Sequence, residues 1–105
     1  MATPTHVQFP AVVATTLTSI AVTVPNVVAG NVLVAGCQNF SGNAWDGFTI
    51  NDDKGNTWVQ AAAHSHIIRL WYAKNVAAGT TVVTASWTFN RTAEMGVAEI
   101  GIDET

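Results

Sequence analysis

The 105 residues predict an all-β chain, a two-sheet antiparallel β-sandwich of jelly-roll type with about eight strands. Three observations lead there. Apolar and polar residues alternate with period two in run after run. No window repeats apolar residues at helical spacing against a charged face. Turn-forming residues recur every 8–12 positions between the runs.

The runs follow in order. Thr18–Val24 sets Ile20, Val22 and Val24 on one face, with Ser19, Ala21 and Thr23 on the other. Asn31–Gln38 is evenly apolar and reads as a central strand, in which Cys37 alternates with Leu33 and Ala35 as a buried small hydrophobe. Gly47–Asn51 is short. Thr57–Ala63 and His66–Ala73 follow in quick succession. Thr81–Phe89 sets Val83, Ala85, Trp87 and Phe89 together, and Met95–Ile102 closes the series. Between them stand Pro25-Asn26, Ala29-Gly30-Asn31, Ser41-Gly42-Asn43, Asp52-Asp53-Lys54-Gly55-Asn56 and Ala78-Gly79, all strong turn formers. Residues 1–105 are expected to form a single module excised from a larger protein, since Met1-Ala2-Thr3 and the final Asp103-Glu104-Thr105 are abrupt. Ser41–Asp46 is the longest irregular stretch and the expected binding loop.

Composition narrows the function. Hydrophobic residues make up 49% and charged residues only 10%, against roughly 25% charged in an ordinary soluble protein. With four Lys and Arg and a formal net charge of −3, no basic patch can form, which argues against nucleic acid and anionic membranes as partners. One cysteine excludes an internal disulfide. The N-terminus shows neither a basic region nor a long apolar run, so no signal peptide is read there.

Catalytic patterns are missing. A glycosidase needs two carboxylates across a cleft, and Glu99, the one acid inside an expected strand, has no partner by spacing. No nucleophile motif is present, so the chain reads as non-enzymatic. His64 and His66 form an H-x-H without a third ligand, at an expected hairpin turn. The sequons Asn39-Phe40-Ser41 and Asn90-Arg91-Thr92 carry little weight, as such short patterns arise by chance. Asp52, Asp53 and Asn56, with Asp46 nearby in sequence, cluster oxygen donors that can hold calcium. The spacing is not that of an EF-hand, and Lys54 sits inside the cluster. The competing reading is a type I turn with Gly55 in the left-handed position.

The tryptophans carry the strongest signal. Four, Trp45, Trp58, Trp71 and Trp87, are about three times ordinary usage. Trp87 alternates with core residues. Trp45 sits in the irregular loop. Trp58 alternates with Gln60, and Trp71 with Arg69, while Ile68, Leu70 and Tyr72 take the opposite, expected core face. Trp58 and Trp71 are therefore expected on the outer face, with packing inside a doubly covered sheet as the alternative. If His64-Ser65 is a two-residue hairpin loop, Gln60 stands opposite Arg69 and Trp58 opposite Trp71, side by side on one face.

The segments GNVLVAG, DDKGNTWVQAA, IRLWYAKNVAAGTTVVTASW and VAEIGI, from about Ile20 to Ile102, resemble a β-sandwich domain recurrent in large bacterial extracellular proteins. The linked pair GNTW and LWYAKNVAAGTT is the most specific part. With the tryptophan excess, the chain is similar to the β-glucan-binding carbohydrate-binding modules appended to bacterial endoglucanases, family eighty-one among them. That resemblance implies a secreted, non-catalytic module that holds an attached glycoside hydrolase on cellulose, mixed-linkage glucan or xyloglucan. It implies Trp58 and Trp71 as sugar platforms, Gln60 and Arg69 as hydrogen-bond partners, and Trp45 as a loop contact. No cofactor is required on this reading, with calcium at Asp46, Asp52 and Asp53 as an optional structural ion. The rival reading is a structural or adhesive sandwich of a bacterial surface or phage protein, with its aromatics buried against neighbours.

Overall fold

β-Branched residues on alternating positions form strands throughout the chain, and among the described residues there is no helix. The structure, a computed structural model, describes residues 3–39, 48–64 and 68–103. Among the described residues seven strands follow one another: β1 (Thr3–Gln8), β2 (Ala11–Val27), β3 (Val32–Asn39), β4 (Thr49–Asp52), β5 (Val59–His64), β6 (Ile68–Ala73) and β7 (Gly79–Asp103). All pairings are antiparallel.

The 25-residue β7 and the 17-residue β2 organise the sandwich. The first half of β7 pairs β2 on one side, through Ser19↔Ser86 to Val27↔Gly79, and β4 on the other. This makes a narrow, three-stranded layer. The second half of β7 pairs β3, and β3 pairs β6, which pairs β5. On its other side the same half pairs Ala11–Ala14 of β2, and then β1. This makes the wide layer. Register shifts between Ala14 and Ser19 interrupt the β2–β7 ladder where the ribbon passes from one layer to the other. The two sheets of the sandwich are thus joined through shared strands.

One core fills the space between them. Ile20, Val22, Val24, Val83, Ala85 and Trp87 come from the narrow layer, and Leu33, Ala35, Cys37, Ala73, Met95 and Val97 from the wide one. The expected faces of Thr18–Val24 and Thr81–Phe89 hold for every described side chain, and Cys37 is a buried free thiol. Burial pushes that thiol up to about 12, so it is protonated and inert at neutral pH.

The layers differ in width, and this sets the environment of β5. All five described side chains of β5, Val59 to Ala63, are exposed, so β5 lies beyond the area that the narrow layer covers.

Candidate functional site

The hairpin of β5 and β6 carries Gln60, Arg69 and Trp71 of the expected sugar-binding residues, but in another register and on the other side of the sheet. Across the ladder Gln60 stands opposite Trp71, Val59 opposite Tyr72 and Ala63 opposite Arg69, with a bulge between Gln60 and Ala62. The expected Trp58–Trp71 and Gln60–Arg69 pairs do not form. The connection is the cause: His64 pairs with Ile68, so the strands slip by three residues from the expected register, and the bulge on β5 takes back only one of them.

The face itself is also reversed. On the next ladder Trp71 stands opposite Ala35, Ala73 opposite Leu33 and Arg69 opposite Cys37. Ala35, Leu33, Cys37 and Ala73 are buried, so Trp71 and Arg69 lie on the inward face. Ile68, Leu70 and Tyr72 occupy the outer face, where Ile68 and Leu70 are exposed. Trp71 is half-buried, with its ring centroid 6.2 Å from that of Phe48, which in turn stacks on Trp87 at 6.5 Å and 4°. Its indole N–H is buried and finds no acceptor among the described residues. Arg69 is half-buried and donates from Nη1 to the Ile68 carbonyl at 2.9 Å. Gln60 is exposed on β5. Trp45 and Asp46 lie outside the described residues, as does His66.

A buried donor without an acceptor costs about 1–3 kcal/mol, which offsets much of what the larger indole gains over a phenyl ring. Trp71→Phe is therefore expected to cost no more than about 1 kcal/mol in urea unfolding. A loss as large as that of an ordinary truncated core aromatic would show that the indole N–H is satisfied in solution.

Trp58 has a different role. It is half-buried, packs against the core and donates from Nε1 to Asp52 Oδ2 at 2.8 Å. Asp52 also accepts from Lys54 N at 2.8 Å, Asn56 N at 3.2 Å and Asn56 Nδ2 at 2.9 Å. Burial pushes the Asp52 carboxyl up, but the donors from Asn56, Trp58 and Lys54 together outweigh it and hold it below the ordinary range. Asp53 Oδ1 accepts from Val82 N at 3.0 Å, fastening the turn to β7. Gly55 takes the left-handed φ of 74° expected of a turn. Asp52 thus accepts N–H donors on both oxygens and Asp53 on Oδ1, all within the turn and its contact with β7. Among the described residues no group of His, Cys, Asp or Glu converges as metal ligands.

An open cleft lies on the outer face of the wide layer. Gly36 of β3 and Gly96 of β7 stand directly opposite one another, with Leu70 opposite Gly36 on the far side and Ala11 opposite Gly96. Neither glycine presents a side chain; Phe9 covers the Gly96 half of the gap, and the Gly36 half forms the open floor. Leu70 and Ile68 wall it from β6, and Phe9 walls it from the β1–β2 link; the cleft measures about 260 Å³. Val97 N donates to Pro10 O at 2.9 Å, pinning that link across β7. The Phe9 ring then lies on Gly96, so close that a Cβ there would clash with Cζ. At Gly36 the nearest atom to such a Cβ is Leu70 Cδ1 at 3.8 Å, so this half of the floor is open. Gln38 and Glu94, both exposed and paired across β3 and β7, add an amide and a carboxylate to the lining.

Sequence reasoning missed these residues. Residues 1–17 alternate too little to predict a strand, so Phe9 has no predicted place in the sheet. The signal that could have found the cleft was a glycine inside each of two strand runs, which marks close approach or open space. No family model matches this chain, and no curated protein matches it.

Proposed function

We propose that this chain is a non-catalytic module that binds a neutral β-linked glucan in the cleft between Phe9 and Leu70. The observation that carries this reading is the glycine-floored trough, with an exposed aromatic on one wall and an amide and a carboxylate in its lining. The C–H face of a pyranose packs on an aromatic or aliphatic wall, while its equatorial hydroxyls reach polar side chains. The low charge of the chain suits an uncharged ligand. Trp58 and Trp71 then serve the scaffold, Trp58 as a partner of Asp52 and Trp71 as inner-face packing. As in the modules this sequence resembles, the chain would act outside the cell, holding an attached glycoside hydrolase on its substrate.

Affinity electrophoresis through gels containing hydroxyethyl cellulose, mixed-linkage glucan or xyloglucan tests this. The parent should be retarded by at least one of them. Phe9→Ala should weaken retardation roughly tenfold or more, taking sugar stacking as about 1–3 kcal/mol per ring by analogy with base stacking. Gly36→Leu should block the floor without unfolding the chain. No retardation by any glucan, or equal retardation of all three proteins, overturns the proposal.

One observation favours the rival reading of a structural or adhesive module. Phe9, Val59, Ile68 and Leu70 are 59%, 44%, 40% and 37% exposed. Such apolar exposure often marks a protein contact. In that case the same cleft seats a neighbouring domain, and no glucan retards the chain.

A further inference from the structure

We propose that two copies of this chain pair through the free edges of their β5 strands, antiparallel about a two-fold axis, making one sheet continuous across both molecules. The proposal does not depend on glucan binding.

β5 ends the wide layer: it pairs β6 and no other strand among the described residues. Its outer edge therefore presents main-chain N–H and C=O groups to solvent, a template for another strand. Proteins usually guard such an edge with charge, proline, a bulge or a cover. In Val59–His64 there is no Lys, Arg, Asp, Glu or Pro. Among the described residues no layer covers it, and Val59, Gln60, Ala61, Ala62 and Ala63 are all exposed. The bulge between Gln60 and Ala62 is the one guard present. The other edges are better protected. β4 is only four residues long and ends at the Asp52 turn, β1 carries Pro4, and β2, the other edge of the narrow layer, carries Pro25 and a register shift between Val24 and Val27.

The chemistry of the strand selects a second copy as the occupant. A peptide added to a sheet edge gains specificity from pockets for its alternate side chains. β5 offers none, because both of its faces are uncovered. What it offers is the backbone ladder alone, and an antiparallel ladder is self-complementary under a two-fold axis. Centred on Ala61 and Ala62, the pairing opposes Gln60 to alanine and brings no charge against a like charge. It also joins the exposed Val59 of each copy into one outer surface with Ile68 and Leu70. Six residues per strand make a small interface, so the association is concentration-dependent rather than obligate.

Sedimentation equilibrium from about 1 µM to about 1 mM reads the result. The parent should pass from one-chain to two-chain mass within that range. Ala62→Lys and Gln60→Lys each place a charge on the edge and should raise the midpoint concentration at least tenfold. Ala77→Lys, the same charge change on an exposed loop, should leave it unchanged. Thermal melts of the four proteins identify any variant that has lost its fold. If one edge variant has, the other decides the comparison. A parent that stays at one-chain mass throughout overturns the proposal. So do edge variants that behave like Ala77→Lys, or a dimer that Phe9→Ser abolishes and Ala62→Lys does not, which would place the contact on the outer face.

Discussion

Glu99→Ala is expected to lower stability by about 3–5 kcal/mol, a large share of the roughly 5–15 kcal/mol a domain of this size possesses. Glu99 is fully buried, and its carboxylate is the acceptor at the open end of the sandwich. Oε1 takes Gln8 Nε2 at 2.7 Å; Oε2 takes Val28 N at 2.9 Å and Asn31 Nδ2 at 2.8 Å. Gln8 Nε2 also donates to Pro25 O at 2.7 Å, so four chain segments meet at one side chain. Removing it takes an acceptor from three donors: Gln8 keeps Pro25 O, but Val28 N and Asn31 Nδ2 lose theirs, and Asn31 is buried. Burial pushes this carboxyl up, and the hydrogen bonds from Val28, Gln8 and Asn31 more than compensate, holding it below the ordinary range. The folded state thus binds the proton less readily than the unfolded chain. The contribution is fully present at neutral pH and is lost as pH falls through the carboxylate range, below about pH 4. Urea midpoints of parent and Glu99→Ala should therefore converge in acid. Asn31→Asp alone sets two carboxylates together and should destabilise. Combined with Glu99→Gln it restores one donor–acceptor pair, so the double variant should be more stable than the sum of the single losses. Strict additivity, or a gap between parent and Glu99→Ala that does not narrow in acid, would remove Glu99 from this role.

The same residue shows what was legible in the sequence. Glu99 stood out as the one acid within an expected strand, but spacing alone pointed to no partner. Its partners come from the end of β1 and the turn before β3, which only the fold assembles. The sandwich could be read because Ile20, Val22 and Val24, and likewise Val83, Ala85 and Trp87, alternate with polar neighbours. β6 could not be read this way. Arg69 and Trp71 on one face, and Ile68, Leu70 and Tyr72 on the other, make the second face look like core. The sheet decided otherwise, because Trp71 and Ala73 sit opposite the buried Ala35 and Leu33. A strand that is apolar on both sides carries no in–out signal of its own. The tryptophan excess was visible, but its meaning depended on that face. β1 and the start of β2 went unread because Thr3–Leu17 has Pro4, Pro10 and little alternation. Pairing with the far half of β7 makes it a strand, a contact about 90 residues distant in sequence.

Asp52→Ala is expected to cost about 2–4 kcal/mol and to loosen the β4–β5 connection. Four N–H donors lose their acceptor at once: Lys54 N, Asn56 N, Asn56 Nδ2 and Trp58 Nε1. The two backbone donors lie near the surface, where water can replace the carboxylate, so they account for the smaller part. The indole bond matters more, since Trp58 packs on the core and its N–H is directed to Asp52 Oδ2. Asn56 adds a further link, because its Oδ1 accepts from Ala77 N at 3.0 Å and joins this turn to the one before β7. Asp52→Asn separates the contributions. Its amide oxygen can still serve Lys54 N and Asn56 N, but its NH2 group would face the indole N–H, donor against donor. In a Trp58→Phe background that conflict is absent, so Asp52→Asn should cost less there than in the parent. The expected coupling is about 1–3 kcal/mol, read from urea midpoints of the four proteins in the cycle. Additive losses would mean that Trp58 and Asp52 act independently. Trp58 would then again be available as a surface for a ligand, and glucan binding by the Trp58→Phe protein would have to be measured before the cleft at Phe9 is accepted as the site.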